Sequence, residues 1–359
     1  MYHFSPENDI ILNMDILESN RSYECYCGKG AAFEFAAMYI LEHTDVSDIS
    51  RLKVAVVSDR IVSGYYYNKF ENQFLIRGVK PILVPVECND MGKSLNAVDS
   101  VLRFISDFDF GPCDWIISLG GGGILDVTAF VHSLLQTKVN FMAVPTTLMS
   151  MTEGCVSSKA YLNFMSRKDI MSTAFEPDIV IVDPSFLSTV PAKYKSNGYA
   201  SIIRYAILED LSLIKIPDDM DSGLRDYLNR VYSCRCRIEK RDPRLLTLGS
   251  EISAAIEGYF RFMNYSEGEA LALSLISAVD DSRREPLSKI YGVLGLPTAL
   301  KDVSSAMILK NLKRNLDRYA SGKVELVDME NGPTQRWVIR TLSADQAYDL
   351  LSERLKIIS

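Results

Sequence analysis

The stretch Ser118-Leu119-Gly120-Gly121-Gly122-Gly123-Ile124-Leu125-Asp126 narrows the fold more than any other part of this chain. An apolar run, Trp115 to Leu119, enters four consecutive glycines, and an apolar stretch with helical spacing, Leu125 to Leu135, follows them. A buried strand, a turn without side chains and a helix in direct succession are the parts of a parallel sheet covered by helices. Glycines let a backbone approach an anion closely. The N-terminus of the next helix offers free N–H groups and the positive end of the helix dipole. The stretch reads as a phosphate or pyrophosphate cradle, although it is neither the G-x-G-x-x-G fingerprint nor a Walker loop. A turn that bound nothing would not need so many glycines in a row.

The surrounding sequence agrees. Short runs rich in Val and Ile recur at Lys53 to Val57, Pro81 to Val86, Phe141 to Val144 and Ile179 to Val182, with helical patterns such as Ser94 to Phe108 between them. Strands buried on both faces look like this, and the alternation predicts a parallel, Rossmann-like sheet. After Pro184 the strand signals thin. Helical periodicity dominates at Tyr199 to Asp210, Ser222 to Arg237, Leu248 to Phe262, Gly268 to Val279 and Ala306 to Ala320. Lys323 to Val327 and Arg336 to Arg340 suggest a late hairpin about Asn331-Gly332. The expectation is an α/β domain over residues 1–183 and a mostly α-helical domain over 184–359, because 359 residues exceed the usual size of one core.

Composition excludes several classes. Hydrophobic residues at 47% and charged residues at 24% are ordinary for a globular protein. The net charge is −7 and no basic run stands out, so nucleic acid is not an expected partner. Neither a signal peptide nor an apolar run of membrane-spanning length is read, which gives a cytoplasmic, non-membrane expectation. The seven cysteines are odd in number and lack metal-site or scaffold spacing, so they read as reduced thiols. Net acidity still permits an anionic ligand, because a local cluster of Lys and Arg outweighs distant charge.

Further motifs follow the glycines in a fixed order. Gly120 to Asp126, Val144-Pro145-Thr146-Thr147-Leu148-Met149-Ser150 and Val156-Ser157-Ser158-Lys159-Ala160 resemble the glycine triplet with aspartate, the P-T-T-L and the V-G-G-K of dehydroquinate synthase. Lys168-Asp169-Ile170-Met171 resembles its K-N-M, Phe186 to Pro191 its F-L-x-T-L-P, and Gly198 to Tyr205 its G-L-A-E-V-I-K-Y. Gly268-Glu269-Ala270 and Gly295-Leu296-Pro297-Thr298 match as well. The resemblance spans about residues 50 to 300. It implies the dehydroquinate synthase-like fold of the sugar phosphate cyclases: a nucleotide-binding α/β domain and a helical metal domain, in a cytoplasmic homodimer. Members of that family use NAD and a divalent metal, usually zinc, to convert a phosphorylated sugar into a carbocycle.

On the cofactor side the resemblance assigns Asp59, Lys93, Gly121, Gly122, Asp126, Thr146, Thr147, Phe186 and Thr189 to NAD. The D-G-E-x-x-K segment ending at Lys93 has Asn89 and Asp90 here, and Tyr194 replaces a glutamate. Packing and capping would account for the Thr and Phe positions equally well. On the substrate side Lys159 and Lys168 match family lysines, and Arg204 stands for another. With Glu153 they form the expected catalytic set. Asp169, Arg237 and Arg244 are the expected substrate contacts, and Arg318 stands near a late lysine. Several cations in one pocket suit an anionic small molecule. Tyr199 and Tyr205 are further candidates for moving protons.

The metal side departs from the pattern. The family's ligand positions, one glutamate and two histidines, are Ser201, Ser250 and Glu267 here, and Ala254 replaces the catalytic histidine of G-H-T-x-G-H. The three histidines, His3, His43 and His132, all lie in the first 132 residues. The second domain therefore cannot build a His-His-carboxylate site, and zinc is not expected. An oxygen-only site from Glu153, Glu251 or Glu267 would hold Mg²⁺ weakly at best.

Two functional readings follow. One is a diverged, zinc-independent enzyme that uses NAD on a phosphorylated or acidic polyol-like molecule, a specialisation suited to secondary metabolism. The other is a catalytically silent relative that binds or regulates an active cyclase. Lys159 and Lys168 together exceed what packing requires and favour the first. An origin among the iron-dependent alcohol dehydrogenases, which share the architecture, is disfavoured by Pro145-Thr146-Thr147-Leu148.

Overall fold

The computed structural model describes residues 11–16, 21–45, 48–87, 93–165, 167–216, 220–260, 264–301, 303–317, 319, 322–330 and 336–359. The chain divides into two compact units. The first holds Met1–Phe164, Asp169–Val190 and Pro217–Asn229; the second holds Met165–Lys168, Pro191–Ile216 and Arg230–Ser359. The division thus falls at Val190 rather than at the expected 183, and a later segment, Pro217–Asn229, packs with the first unit.

The first unit runs β1 (Ile11–Ile16), β2 (Arg21–Cys27), α1 (Glu34–Glu42), β3 (Val54–Ser58), α2 (Arg60–Leu75), β4 (Ile82–Pro85), α3 (Leu95–Ser106), β5 (Trp115–Gly120), α4 (Gly122–Leu134), β6 (Asn140–Pro145) and α5 (Leu148–Thr152). A two-stranded piece of β7 (Lys159–Phe164) and β8 (Arg167–Ala174) follows, then β9 (Ile179–Val182). Seven strands form one sheet in the order β1-β2-β9-β6-β5-β3-β4. Every neighbouring pair is parallel except β1 with β2. Strands β3, β5 and β9 are buried along their whole length, as their unbroken apolar runs require. Strands β1, β2, β7 and β8 are absent from the sequence expectation. Strands β7 and β8 lie partly exposed and carry polar residues, so they show no apolar run.

The sheet order reverses beside β3, with β4 on one side of it and β5 on the other. The carboxyl ends of β3 and β5 therefore flank a topological switch point, where open α/β sheets place their ligands.

The second unit is mostly helical, as expected. It contains α6 (Ala192–Leu208), the later part of α7 (Met220–Arg241), α8 (Ser250–Tyr259), α9 (Glu267–Ala278), α10 (Asp281–Leu294), α11 (Ser305–Leu316) and α12 (Ala344–Ile357). Strands β10 (Lys323–Met329) and β11 (Trp337–Ser343) form the expected antiparallel hairpin, in register from Lys323 with Ser343 to Met329 with Trp337. Its predicted turn, Asn331-Gly332, lies outside the described residues, as do Asn89, Asp90, His3 and Arg318. Helix α9 starts with a capping box of Ser266 and Glu269, and the Ser266 hydroxyl also donates to Asn197 Oδ1 on α6 at 2.8 Å.

Among the described residues no helix is long and apolar enough to cross a membrane. The described cysteines are free, and Cys25, Cys27, Cys155 and Cys234 are buried.

Helices α6 and α9 touch backbone to backbone. A Cβ on Gly268 would lie 2.3 Å from Asn197 Cα, so the helices would have to separate to admit one. Gly268→Ala should therefore destabilise the protein by about 3 kcal/mol. Denaturant melts measure this, and an unchanged midpoint would show that the helices are not so closely apposed.

Candidate functional site

The cofactor-side candidates gather at the carboxyl ends of the parallel strands. The Ser58 hydroxyl donates to Leu119 O at 2.7 Å, tying the end of β3 to β5. Asp59 follows and caps α2, accepting from the Ile61 and Val62 N–H groups at 2.8 and 2.9 Å. Past β5, the Thr146 N–H donates to Gly120 O at 2.9 Å, which joins the glycine turn to the end of β6. The glycines serve different purposes. A Cβ on Gly120 would sit 2.6 Å from Ile124 Cβ, so this glycine lets α4 fold back on its own strand. A Cβ on Gly121 would lie 3.3 Å from Thr147 Cγ2, whereas one on Gly122 would meet nothing within 4 Å. The turn is closed behind and open in front. Helix α4 starts at Gly122, so its unpaired first-turn N–H groups stand at that opening.

Two buried hydroxyls at these strand ends, Ser118 Oγ and Thr146 Oγ1, have no hydrogen-bond partner among the described residues. A buried orphan hydroxyl is costly unless something else pairs with it. Together with the open face of Gly122, they fit a bound dinucleotide. Other candidates have local roles. Thr147 and Ser150 form the capping box of α5. Phe186 is buried, edge-on to Tyr66 with ring centroids 4.7 Å apart, and the Thr189 hydroxyl pairs with Tyr66 Oη.

Lys93 and Asp126 form a network of their own. The Lys93 ammonium lies 2.7 Å from Asp126 Oδ2 and 3.0 Å from Asp169 Oδ1. Asp126 also accepts from the Tyr161 N–H at 3.1 Å, pinning β7 to α4. Asp169 has a left-handed backbone, φ 51°, and its N–H donates to Asn163 Oδ1 at 2.9 Å. Burial pushes the Asp126 carboxyl up to about 6, against the opposing pull of Lys93. Lys159 begins β7, is exposed, and has no ion-pair partner among the described residues. Glu153 is half-buried at the end of α5.

In the second unit Lys168 is held between two carboxylates, 2.9 Å from Glu257 Oε1 and 2.7 Å from Glu267 Oε1. The Ser253 hydroxyl donates to the same Glu257 oxygen at 2.9 Å. Burial first, and the charge of Glu267 after it, push the Glu257 carboxyl up to about 7 although Lys168 draws it down. Glu257 was not anticipated. A signal existed: it lies on the apolar face of α8, four residues after Ser253, where a carboxylate needs a reason.

The family's metal positions do not assemble a metal site. Ser201 is buried and its hydroxyl donates to Gly198 O at 3.0 Å. Ser250 opens α8 just after the left-handed Gly249, φ 86°. Glu267 is engaged by Lys168. Among the described residues no group of three or more His, Cys, Asp or Glu is placed to hold a metal ion. Two serine hydroxyls and an ion-paired carboxylate are a donor set that zinc does not take.

The other candidate cations belong to the second unit. Arg204 is buried on α6, with its guanidinium 5.8 Å from the Tyr205 ring centroid. Arg237 pairs with Glu209 at 3.0 Å. Arg244 forks onto Asp242 at 2.7 and 3.0 Å and reaches Glu325 at 2.8 Å. Burial raises the Tyr199 phenol.

Residues 83–197 match the 3-dehydroquinate synthase N-terminal family. The 3-dehydroquinate synthase of Clostridium kluyveri is 26% identical over 300 residues, covering 77% of this chain and 83% of that protein. Two solved structures share the fold at 16% identity. The 2-epi-5-epi-valiolone synthase of Streptomyces hygroscopicus, solved with NAD⁺ and Zn²⁺ bound, superposes with a TM-score of 0.76 over 94% of this chain and 97% of its own. A 2-deoxy-scyllo-inosose synthase superposes with a TM-score of 0.74 over 96% and 99%.

The Asp126 carboxyl keeps its proton to about pH 6 when folded, against 3.8 for an ordinary aspartate. The native state binds the extra proton in that window, so stability falls as pH rises through it, by about 3 kcal/mol in all. Asp126→Asn should flatten this slope in denaturant melts taken across the window. An unaltered slope in the variant would refute the assignment.

Proposed function

The chain is a diverged member of the dehydroquinate synthase and sugar phosphate cyclase superfamily with no metal-holding cluster among its described residues, and on that premise we propose that it is an enzyme that uses NAD, without zinc, on a phosphorylated or acidic polyol-like small molecule. The observation that carries this reading is the turn after β5. It is open at Gly122 and flanked by buried Ser118 and Thr146 hydroxyls that have no hydrogen-bond partner among the described residues. Gly121, Gly122 and the N-terminus of α4 would hold the pyrophosphate, with Thr146 beside it. NAD, when bound, supplies reversible hydride transfer.

The chain's own groups then divide the remaining work. Lys159, exposed and without an ion pair among the described residues, is one cation available to hold an anionic ligand in the first unit. Lys168, 2.9 Å from Glu257 and 2.7 Å from Glu267, serves in this reading as a fixed charge. Glu257, with its carboxyl near 7, changes protonation in the neutral range and suits a proton acceptor or donor. A cytoplasmic homodimer belongs to the same reading.

One observation favours the silent-partner alternative. Lys93, Lys168, Arg237 and Arg244 all have carboxylate partners already, which leaves fewer cations for a substrate. Calorimetric titration of the full chain with NAD, in the presence of a chelator, separates the two. Saturable binding is expected, and Zn²⁺ should leave the melting temperature unchanged. Gly122→Val should abolish NAD binding while costing about 1 kcal/mol or less of stability, since its Cβ meets no protein atom. Failure of the unmodified chain to bind NAD at millimolar concentration would reject the enzyme reading in favour of the silent partner.

A further inference from the structure

A cavity of about 700 Å³ lies in the second unit, and its lining includes none of the cofactor-side groups described above. It is bounded by the end of α6, the turn that follows, α10 and the start of β11. Its size falls within the range of about 300–1,000 Å³ typical of small-molecule sites. Most of the lining is apolar and includes Leu208, Ile214, Val279, Leu287 and Trp337. The Trp337 indole N–H donates to Ile207 O at 3.0 Å, so this wall is fixed in advance with its polar edge already paired.

The charge on the lining is one-sided. The lining holds Arg241, Arg283 and Arg336 against one carboxylate, Glu209; Arg237 and Arg241 hold that carboxylate at 3.0 Å each, and Arg283 lies 3.7 Å from Asp280 Oδ2. Arg336 is exposed and has no ion-pair partner among the described residues. Pro286, inside α10, has no N–H, so the carbonyl of Ser282 on the lining lacks its helical donor. A surplus of guanidinium around an apolar chamber, in a chain of net charge −7, selects for an anion with an apolar body.

We propose that this cavity binds a small, freely dissolved amphipathic carboxylate, its apolar part in the chamber and its anionic head on Arg336. The probe is 8-anilinonaphthalene-1-sulfonate, an amphipathic anion that fluoresces in apolar surroundings, titrated into the full chain. One saturable probe per chain is expected, displaced by octanoate but not by octanol. Arg336→Glu should weaken it about tenfold, the effect of losing one charge-assisted contact. Ser282→Trp, at an exposed position in the first turn of α10, should fill the mouth and abolish binding. Circular dichroism checks that both variants fold, and either variant suffices if the other does not. The proposal is overturned if binding does not saturate, if both folded variants bind as before, or if octanol competes as well as octanoate. Displacement of the dye by NAD would place it at the glycine turn instead. Self-association that Ser282→Trp blocks would make the cavity an interface between copies.

Discussion

The approach of α4 to the end of β5 governs the carboxyl edge of the sheet. With Ile124 where a Gly120 side chain would be, the helix has to begin within two residues of the strand. That placement puts the first-turn N–H groups at the switch point and lets Gly120 O accept from Thr146. The same helix carries Asp126 to Lys93 and to the backbone of β7. A bulkier turn would push α4 outward and loosen all three connections together. The nucleotide-side geometry is thus a packing result before it is a binding result, and the unpaired hydroxyls of Ser118 and Thr146 are what packing alone leaves unexplained.

Charge in both units is organised by lysines, each held by two carboxylates. Lys93 has Asp126 and Asp169, and Lys168 has Glu257 and Glu267. In each group one carboxyl is more deeply buried and its pKa is raised, because desolvation outweighs the attraction of the ammonium. Lys159, by contrast, is exposed and has no ion-pair partner among the described residues.

Much of the architecture was legible because the interior strands leave no room for polar residues. β3, β5, β6 and β9 announced themselves as Val- and Ile-rich runs, and the glycine turn located their ligand edge. What stayed hidden was half-exposed or interrupted. β7 and β8 alternate polar and apolar residues at low contrast, and α10 is masked by the charged series from Asp281 to Glu285 and by Pro286. Among site residues, identity was easier to read than role. Asp59 follows β3 and Thr147 follows β6, and the side chains of both cap helices. Lys168 was recognised as a cation, but its partner Glu257 belongs to a distant helix, and only tertiary structure brings the two together.

The ammonium of Lys168 has a consequence for how the second unit responds to its surroundings. A protein that folds around a bound metal gains stability with the logarithm of free metal, and loses it when the supply falls or a chelator competes. A cation on a side chain is present at a fixed, intramolecular concentration that no chelator can lower. Glu257 and Glu267 in this respect receive their counter-charge from the chain itself. In exchange the contact depends on the charge of Glu257, whose carboxyl burial pushes up to about 7, so acidity is an external variable that this contact senses.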